Sequence, residues 1–420
     1  MSFLGMRGTG DWVSNQRPES WREMILRLYP NGSAPLTAIL SKMGSQKVDD
    51  PKFHWWEKQL PNQRGTVTGV YTDSGLSSAY ASGGAAAATW YVKMSAADAA
   101  NFRARHLVVL MVSTSANKAA RVVCKVTART LNGDSSYLTV KTLEADDNGG
   151  AITMATADVC LVIGTVNEEG ASAPTALAYD PTEKYNVTQI FRNPLNHTRT
   201  AMRTRLRTGD QVAEAKREAL ELHSIEMEKA FIWGILTEGT GDGGKPERTT
   251  AGIKSFLTSN VSDYSSAALG GAATWLSGGE DWLDSIFEQI FRYGSNEKLA
   301  LCGSGALLGI QRLAKANGTF QMTAKTMDYG IQVIEWVTPF GTVYLKIHPL
   351  FSLEATMRNS MLICEPRFMK YRFIDDTTYK PKIQSNDIDG ETSEYLTECG
   401  LEFYFEMAHG WLDGVGSDRS

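Results

Sequence analysis

The sequence predicts an α+β protein carrying a small all-β insertion, and three stretches predict it. "GDQVAEAKREALELHSIEMEKAFIWGIL" (209–236) is helical in composition and has no internal break before its last turn. Four short β-branched runs crowd between about 106 and 163, and "GLEFYFEM" (400–407) alternates apolar and polar side chains. A helix of ~26 residues from Asp210 would be roughly 39 Å long, about twice the length of an average globular helix. A rod of that length needs a long surface to lie on.

Composition sets the frame for the elements. A chain of 420 residues suggests two or three domains, and 42% hydrophobic with 21% charged residues is globular. The formal charge of −5 argues against a nucleic-acid binder with a broad basic face, while a container that holds nucleic acid without gripping it is compatible with mild acidity. Five cysteines (Cys124, Cys160, Cys302, Cys364, Cys399) show no CxxC spacing and read as reduced thiols in a cytosolic setting. The first residues contain no apolar core of a secretion signal, and nowhere do eighteen apolar residues run together, so neither export nor a membrane span is expected. The Asn-X-Ser/Thr matches at Asn186, Asn196, Asn260 and Asn317 therefore carry no meaning.

Residues 1–52 mix short helical stretches with breakers at Pro18, Pro30, Asn31-Gly32 and Pro35. "WREMILRLY" and "PLTAILSKMG" have helical spacing but are too short to form a core, so this segment reads as an arm packed on something else. "FHWWEKQLP" (53–61) reads as a strand, and Trp55-Trp56 then put one indole on each face. A strand wet on one side avoids that arrangement. Both faces are expected to be covered, the second by another molecule.

"SGLSSAYASGGAAAAT" buries little, and the β-runs follow: HLVVLMV, RVVCKVTA, YLTVKTL and DVCLVIG. In RVVCKVTA, Val122, Cys124, Val126 and Ala128 share a face, and Asn132-Gly133 marks a hairpin turn. These form a small β-barrel or sandwich inserted between two halves of something else. A polar loop precedes a further strand, NVTQIF (186–191).

On the long helix Asp210 is a good N-cap. A helical wheel places Glu214, Arg217, Glu218, Glu221 and Glu228 on one face and Val212, Ala215, Ala219, Leu222, Ala230 and Trp233 opposite. Residues 251–350 read as α/β. Leu283, Ile286, Phe287 and Ile290 form a helical stripe closed by Gly294; KLALC is a strand; SGALLGIQRLAKANG is a helix; and a hairpin turns at Phe340-Gly341. In the tail Leu401, Phe403, Phe405 and Met407 point one way and Glu402, Tyr404 and Glu406 the other, a half-buried strand. No internal repeat is found.

Motifs for chemistry are weak. GSGALLG (Gly303, Gly305, Gly309) lies between a strand and a helix, as dinucleotide-binding turns do, but its spacing is GxGxxxG and no repeated βαβ units surround it. A tight strand-to-helix turn is the better reading. GDGGKPE (241–247) has Pro246 where a phosphate loop needs Ser or Thr and reads as a flexible linker. The six histidines form no HxxxH or HxH pair, and His223-Ser224 would point about 100° apart on a helix. Asp146-Asp147-Asn148 reads as an acidic hairpin tip rather than a calcium loop. Arg192, Arg199, Arg203, Arg205 and Arg207 precede the long helix, and ion pairs to an acidic neighbour suit them better than phosphate. No catalytic residue, cofactor or metal is assigned.

The order of parts carries the resemblance. "RPESWREMILRLYPNGSAPLTAI", "FHWWEKQL", "NVTQIF" followed by the helix through "EMEKAFIWG", and "YLTECGLEFYFEMAHGWLDGV" together span almost the whole chain. They resemble the Hong Kong 97-like major capsid proteins of tailed bacteriophages, within the major head protein group whose projecting loop carries an inserted β-domain. The resemblance implies an N-terminal arm (1–52), an extended loop (53–85 and 169–191) and an inserted β-domain (86–168). It also implies a peripheral domain (192–250 and 360–408) with its spine helix at 210–236, and an axial domain (251–359 and 409–420). A shell subunit is broad and thin, which accounts for a rod with one solvated and one sheet-covered face.

The implied function is a self-assembling head subunit forming pentamers and hexamers around double-stranded DNA, built in the host cytoplasm, with portal, scaffolding or decoration proteins as partners. Trp55, Trp56, Lys58, Arg192, Arg203 and Arg205 are the inter-subunit contact candidates. Nothing before residue 50 is the long charged helix of a cleaved scaffolding segment, so scaffolding is a separate protein or absent. Lys58 matches no cross-linking motif, and no cross-link is expected. Another virion component, such as a tail-tube or decoration protein, and a dinucleotide enzyme built on GSGALLG are the competing readings.

Overall fold

The structure, a computed structural model, describes residues 44–112, 121–146, 154–204, 211–265, 274–317, 322–326 and 332–418. Two expected helices, WREMILRLY and PLTAILSKMG, the proposed cap Asp210, and Asp147-Asn148 lie outside the described residues. The chain divides into two compact units, one of Met1–Glu57 with Glu183–Ser420 and the other of Lys58–Thr182.

The first unit opens with β1 (Ser45–Lys47) and β2 (Lys52–Glu57). The second unit follows: β3 (Arg64–Tyr71), β4 (Thr89–Met94), helix α1 (Ala96–Ala100), β5 (His106–Met111), β6 (Arg121–Thr130), β7 (Ser136–Thr142) and β8 (Val159–Thr165). These six strands close a barrel in the order β3-β4-β7-β6-β5-β8. The four expected runs supply β5 to β8. The barrel therefore begins at Arg64, well before the expected boundary at 86. RGTVTGVY and TWYVKM carry glycine, lysine and tyrosine among their β-branched residues, which hides them from a hydrophobicity reading. Closure removes both sheet edges and draws Val92, Met94, Val108, Val122, Cys124, Val126, Leu138 and Val140 into one core.

Within β6 the expected face holds through Val126, but a bulge between Val126 and Ala128 turns Ala128 out to solvent. The turn at Asn132-Gly133 forms as its residues require. Gly133 has a positive φ of 52°, and the Ser136 hydroxyl donates to its carbonyl at 2.7 Å.

Back in the first unit come β9 (Thr182–Val187), β10 (Gln189–Thr198), α2 (Arg199–Arg203) and the long helix α3 (Gln211–Trp233). A hairpin of β11 (Thr237–Thr240) and β12 (Pro246–Thr249) follows, so GDGGKPE is an ordered turn between paired strands and not a loose linker. Next are α4 (Ile253–Phe256), β13 (Val261–Asp263), α5 (Trp275–Phe291), β14 (Glu297–Cys302) and α6 (Ser304–Asn317). The remaining elements are β15 (Met322–Thr326), β16 (Gln332–Thr338), β17 (Gly341–Ile347), α7 (Pro349–Leu353), β18 (Met361–Cys364), β19 (Met369–Lys380), β20 (Gly390–Phe403) and β21 (Gly410–Asp413).

Two sheets organise this unit, β1-β19-β20-β10 and β13-β21-β18-β14-β17-β16-β15. β2 pairs with β9 in a separate two-stranded ribbon. The helix α3 packs on β10 and β20, which run antiparallel in continuous register from Gln189↔Cys399 to Thr198↔Gly390. That ladder is the long surface the rod required. One core joins α3 (Met227, Phe231, Ile232) to the four-stranded sheet (Phe191, Tyr371, Cys399, Leu401) and to the seven-stranded one (Leu299, Leu301, Leu362). A second core packs α5 and α6 on the opposite face of the larger sheet; the predicted stripe Leu283, Ile286, Phe287 and Ile290 lies wholly within it.

Three expectations need correction. The helix α3 stops at Trp233 rather than 236, because the Gly234 carbonyl accepts from Gly252 N at 2.8 Å where the returning chain crosses. Its wheel is also rotated: Glu228 is buried and Leu222 is 56% exposed. His223, Ser224, Met227 and Phe231 set the true inner face, and Glu228 is tolerated there because His348 Nε2 meets its Oε1 at 2.6 Å. Finally, the 400–407 alternation ends at Phe403, since Phe405 takes a left-handed φ of 49°. The end of β20 is covered on both faces, with Glu402 buried against Arg372.

Candidate assembly surface

The β2/β9 ribbon obeys the period of two that a strand imposes. Phe53, Trp55 and Glu57 are buried, while His54 and Trp56 face out. Trp55 stacks on Phe53 with ring centroids 6.2 Å apart and meets Phe256 and Tyr404 edge-on at 5.9 and 6.0 Å. Its indole N–H donates to Glu57 Oε1 at 3.0 Å, and the amide of Phe405 donates to the same oxygen at 3.2 Å. Lys184 approaches the other carboxylate oxygen at 3.5 Å. A buried carboxylate is costly unless paired and hydrogen-bonded; Glu57 is both.

The ribbon is fastened a second time at its base. Asn186 donates to the carbonyls of Ala251 and Leu401 at 3.0 and 2.7 Å, and accepts from Ala251 N at 2.9 Å. Thr188 N donates to Pro51 O at 2.8 Å. The outer face is tied at one edge, where Lys52 Nζ donates to Glu238 Oε1 at 3.1 Å. Trp56 is 62% and Tyr185 39% exposed, with His54 against Glu183 at 2.6 Å and Lys52 over the Tyr185 ring at 4.0 Å. Exposed aromatics with a polar rim have the composition of a contact surface.

The six contact candidates separate on this geometry. Trp56, Lys58 and Arg203 are exposed. Trp55 is enclosed by its own subunit, which removes it from the contact candidates and leaves Trp56 as the indole on the face expected to be covered by another molecule. Arg192 is also exposed, and it donates from Nε and Nη2 to Glu394 Oε2 at 2.9 and 2.6 Å across the β10–β20 ladder, an ion pair within the chain. Arg205 lies outside the described residues. Glu57 and Asn186 were missed by the sequence reading. The signal for Glu57 was its inward phase, two residues beyond Trp55 and four beyond Phe53.

Among the described residues the enzyme-like motifs of the sequence take structural places. In GSGALLG the space a pyrophosphate would need is filled by the protein's own chain. A Cβ on Gly303 would fall 2.2 Å from Arg358 O, on Gly305 1.9 Å from Asn359 Oδ1, and on Gly309 2.2 Å from Gly416 Cα. The amides of Gly303 and Ala306 already donate to Ser360 O and Arg358 O. All five cysteines are buried, and burial pushes the Cys124 and Cys364 thiols up to about 12, so neither is a ready thiolate. Burial lowers His223 to about 4, and its two ring nitrogens are held by Asn193 and Thr397 at 2.6 Å each, which makes it a core group. Among the described residues no three His, Cys, Asp or Glu side chains gather as a metal site, and no helix is long and apolar enough to cross a membrane.

Comparison with known proteins agrees with this picture. A protein described as the major capsid protein of Pseudomonas phage PaMx41 is 26% identical over 364 residues, covering 86% of this chain and 80% of that one. Among solved structures, the capsid of Myoviridae phage XM1 is 11% identical over 59% of this chain and 80% of its own, with a TM-score of 0.38. The holo-SrpI encapsulin complex from Synechococcus elongatus PCC 7942 is 15% identical over 56% of this chain and 76% of its own, with a TM-score of 0.40. The family described as the SU10 major capsid protein matches residues 6–416. The α+β order seen here, with ribbon, long helix and two sheets, is that of the Hong Kong 97-like resemblance. With the family match spanning nearly the whole chain, the chain belongs to the SU10 major capsid protein family, a structural and not an enzymatic one.

Proposed function

We propose that this chain assembles through pentamers and hexamers into the icosahedral head that encloses a double-stranded DNA phage genome, in the host cytoplasm. The supporting observation is the one-sided ribbon: Glu57, Trp55 and Asn186 fix it to its own subunit, while Trp56 and Tyr185 are presented to a neighbour. In this reading residues 53–85 and 169–191 form the extended loop and 1–52 the arm. The four-stranded sheet with α3 is peripheral, and the seven-stranded sheet with α5 and α6 is axial. The mild negative charge suits a wall that holds DNA without gripping it. Portal, scaffolding and decoration proteins are the expected partners.

The test is expression of the full chain, alone and with candidate scaffolding protein, followed by native mass spectrometry and negative-stain electron microscopy. Pentamers, hexamers or shells are expected, and Trp56→Glu should reduce them with the subunit still folded. A chain that stays monomeric under every assembly condition overturns the reading.

A further inference from the structure

The outer wall of the barrel carries a pattern that the barrel itself does not need. Lys141 on β7 sits directly opposite Lys125 on β6, with Thr89 of β4 on its other side. Two rows along on the same face, Lys93 lies between Tyr137 and Gly69. Tyr71 pairs with Tyr91, which faces Thr139. Like charges placed opposite each other on one face of a sheet are unfavourable. Among the described residues none of Lys93, Lys125 and Lys141 meets a carboxylate in an ion pair.

Three carboxylates of this unit are engaged by other donors. Asp73 accepts from the amides of Ser77 and Ser78, Asp98 from Ser95 and the Thr66 amide, and Glu144 from the Val123 amide at 2.7 Å. The rings are arranged beside the lysines. Tyr91 and Tyr137 meet edge to face at 5.5 Å, and Tyr71 lies against Gly69, where an added Cβ would come 3.1 Å from its ring. All three tyrosines remain half-exposed.

We propose that this wall, over β3, β4, β7 and β6, binds an acidic polysaccharide. A uronate carboxylate bridging Lys125 and Lys141 removes their repulsion through charge-assisted hydrogen bonds. Sugar rings pack on the tyrosines, and the hydroxyls of Thr89 and Thr139 lie between. Single-stranded nucleic acid also combines phosphate with stackable rings, but its binders carry a wide basic footprint. Over residues 58–182 Lys and Arg are balanced by Asp and Glu, so the positive charge here is local. The inference stands whether or not the chain forms shells.

The experiment is fluorescence anisotropy of an end-labelled oligogalacturonate titrated with the full chain. A neutral maltooligosaccharide and a labelled oligo-dT are run in parallel. Saturable binding of the uronate is expected, with no binding of the neutral sugar. The double variant Lys125→Gln/Lys141→Gln should weaken it at least tenfold, and Tyr91→Ala should weaken it independently. Arg217→Gln, on α3 in the other unit, should leave it unchanged, and circular dichroism checks that each variant is folded. Absence of saturable binding at about 1 mM, equal binding by the double variant, or tighter binding of oligo-dT overturns the proposal. So does self-association that the double variant abolishes while uronate stays unbound, which would assign the wall to a second copy.

Discussion

Replacing each of the adjacent tryptophans by alanine should give opposite results. Trp55 is 4% exposed, so truncation exposes nearly a whole indole's worth of contact surface. An aromatic side chain buries about 150–250 Å². At about 25 cal/mol per Å² that is about 4–6 kcal/mol, reduced by roughly 10–40% for a compact unfolded chain. A loss of about 3–5 kcal/mol agrees with buried Trp→Ala truncations generally. The loss falls first on the ribbon, because Glu57 keeps only the Phe405 amide and Lys184 to hold it. Trp56 is 62% exposed, and the same arithmetic gives it about 1–2 kcal/mol.

Hydrogen exchange on the soluble subunit, with urea denaturation, separates the two. Trp55→Ala should lose amide protection along β2 and β9 and lower the unfolding midpoint. Trp56→Ala should keep both and fail in assembly. If the two variants destabilise the isolated subunit equally, or if Trp56→Ala assembles as well as the parent, the one-sided ribbon is wrong.

The buried pair Lys298–Glu365, at 2.8 Å, should behave as paired charges do: Glu365→Ala should cost about 3–5 kcal/mol in urea unfolding, and Lys298→Met/Glu365→Leu much less. Gly309→Ala should lower the melting temperature because its Cβ meets the backbone of Gly416, and added nucleotide should shift neither parent nor variant. Acid should weaken the fold through His223. Its folded pKa, about 4 through burial, lies below the ordinary value near 6.5. The unfolded chain therefore takes up the proton first, and stability present above pH 6.5 is lost as pH falls towards 4, by about 3 kcal/mol at most. His223→Gln should flatten the dependence of the urea midpoint on pH in that window.

Periodicity and turn chemistry are local properties, and they made much of the fold legible. The inward stripe of α5, the hairpins at Asn132-Gly133 and Phe340-Gly341, and the alternation of β2 all follow from neighbours in sequence. Where the reading failed, a distant segment decided. Glu228 looked solvated until His348, 120 residues on, met it in the core. β3 and β4 carried weak signals of their own and were recruited because a barrel needs them to close.

The sequence by itself determined that there would be a long rod, a set of β-strands inserted ahead of it and a strand with one tryptophan on each side, because residue spacing alone dictates helix and strand faces. Only the tertiary structure decided which side of the rod is buried, which tryptophan is bare and what fills the glycine turn. The physical reason is that a face becomes inner or outer through partners far along the chain, as when the amide of Phe405 closes on Glu57 across 348 residues.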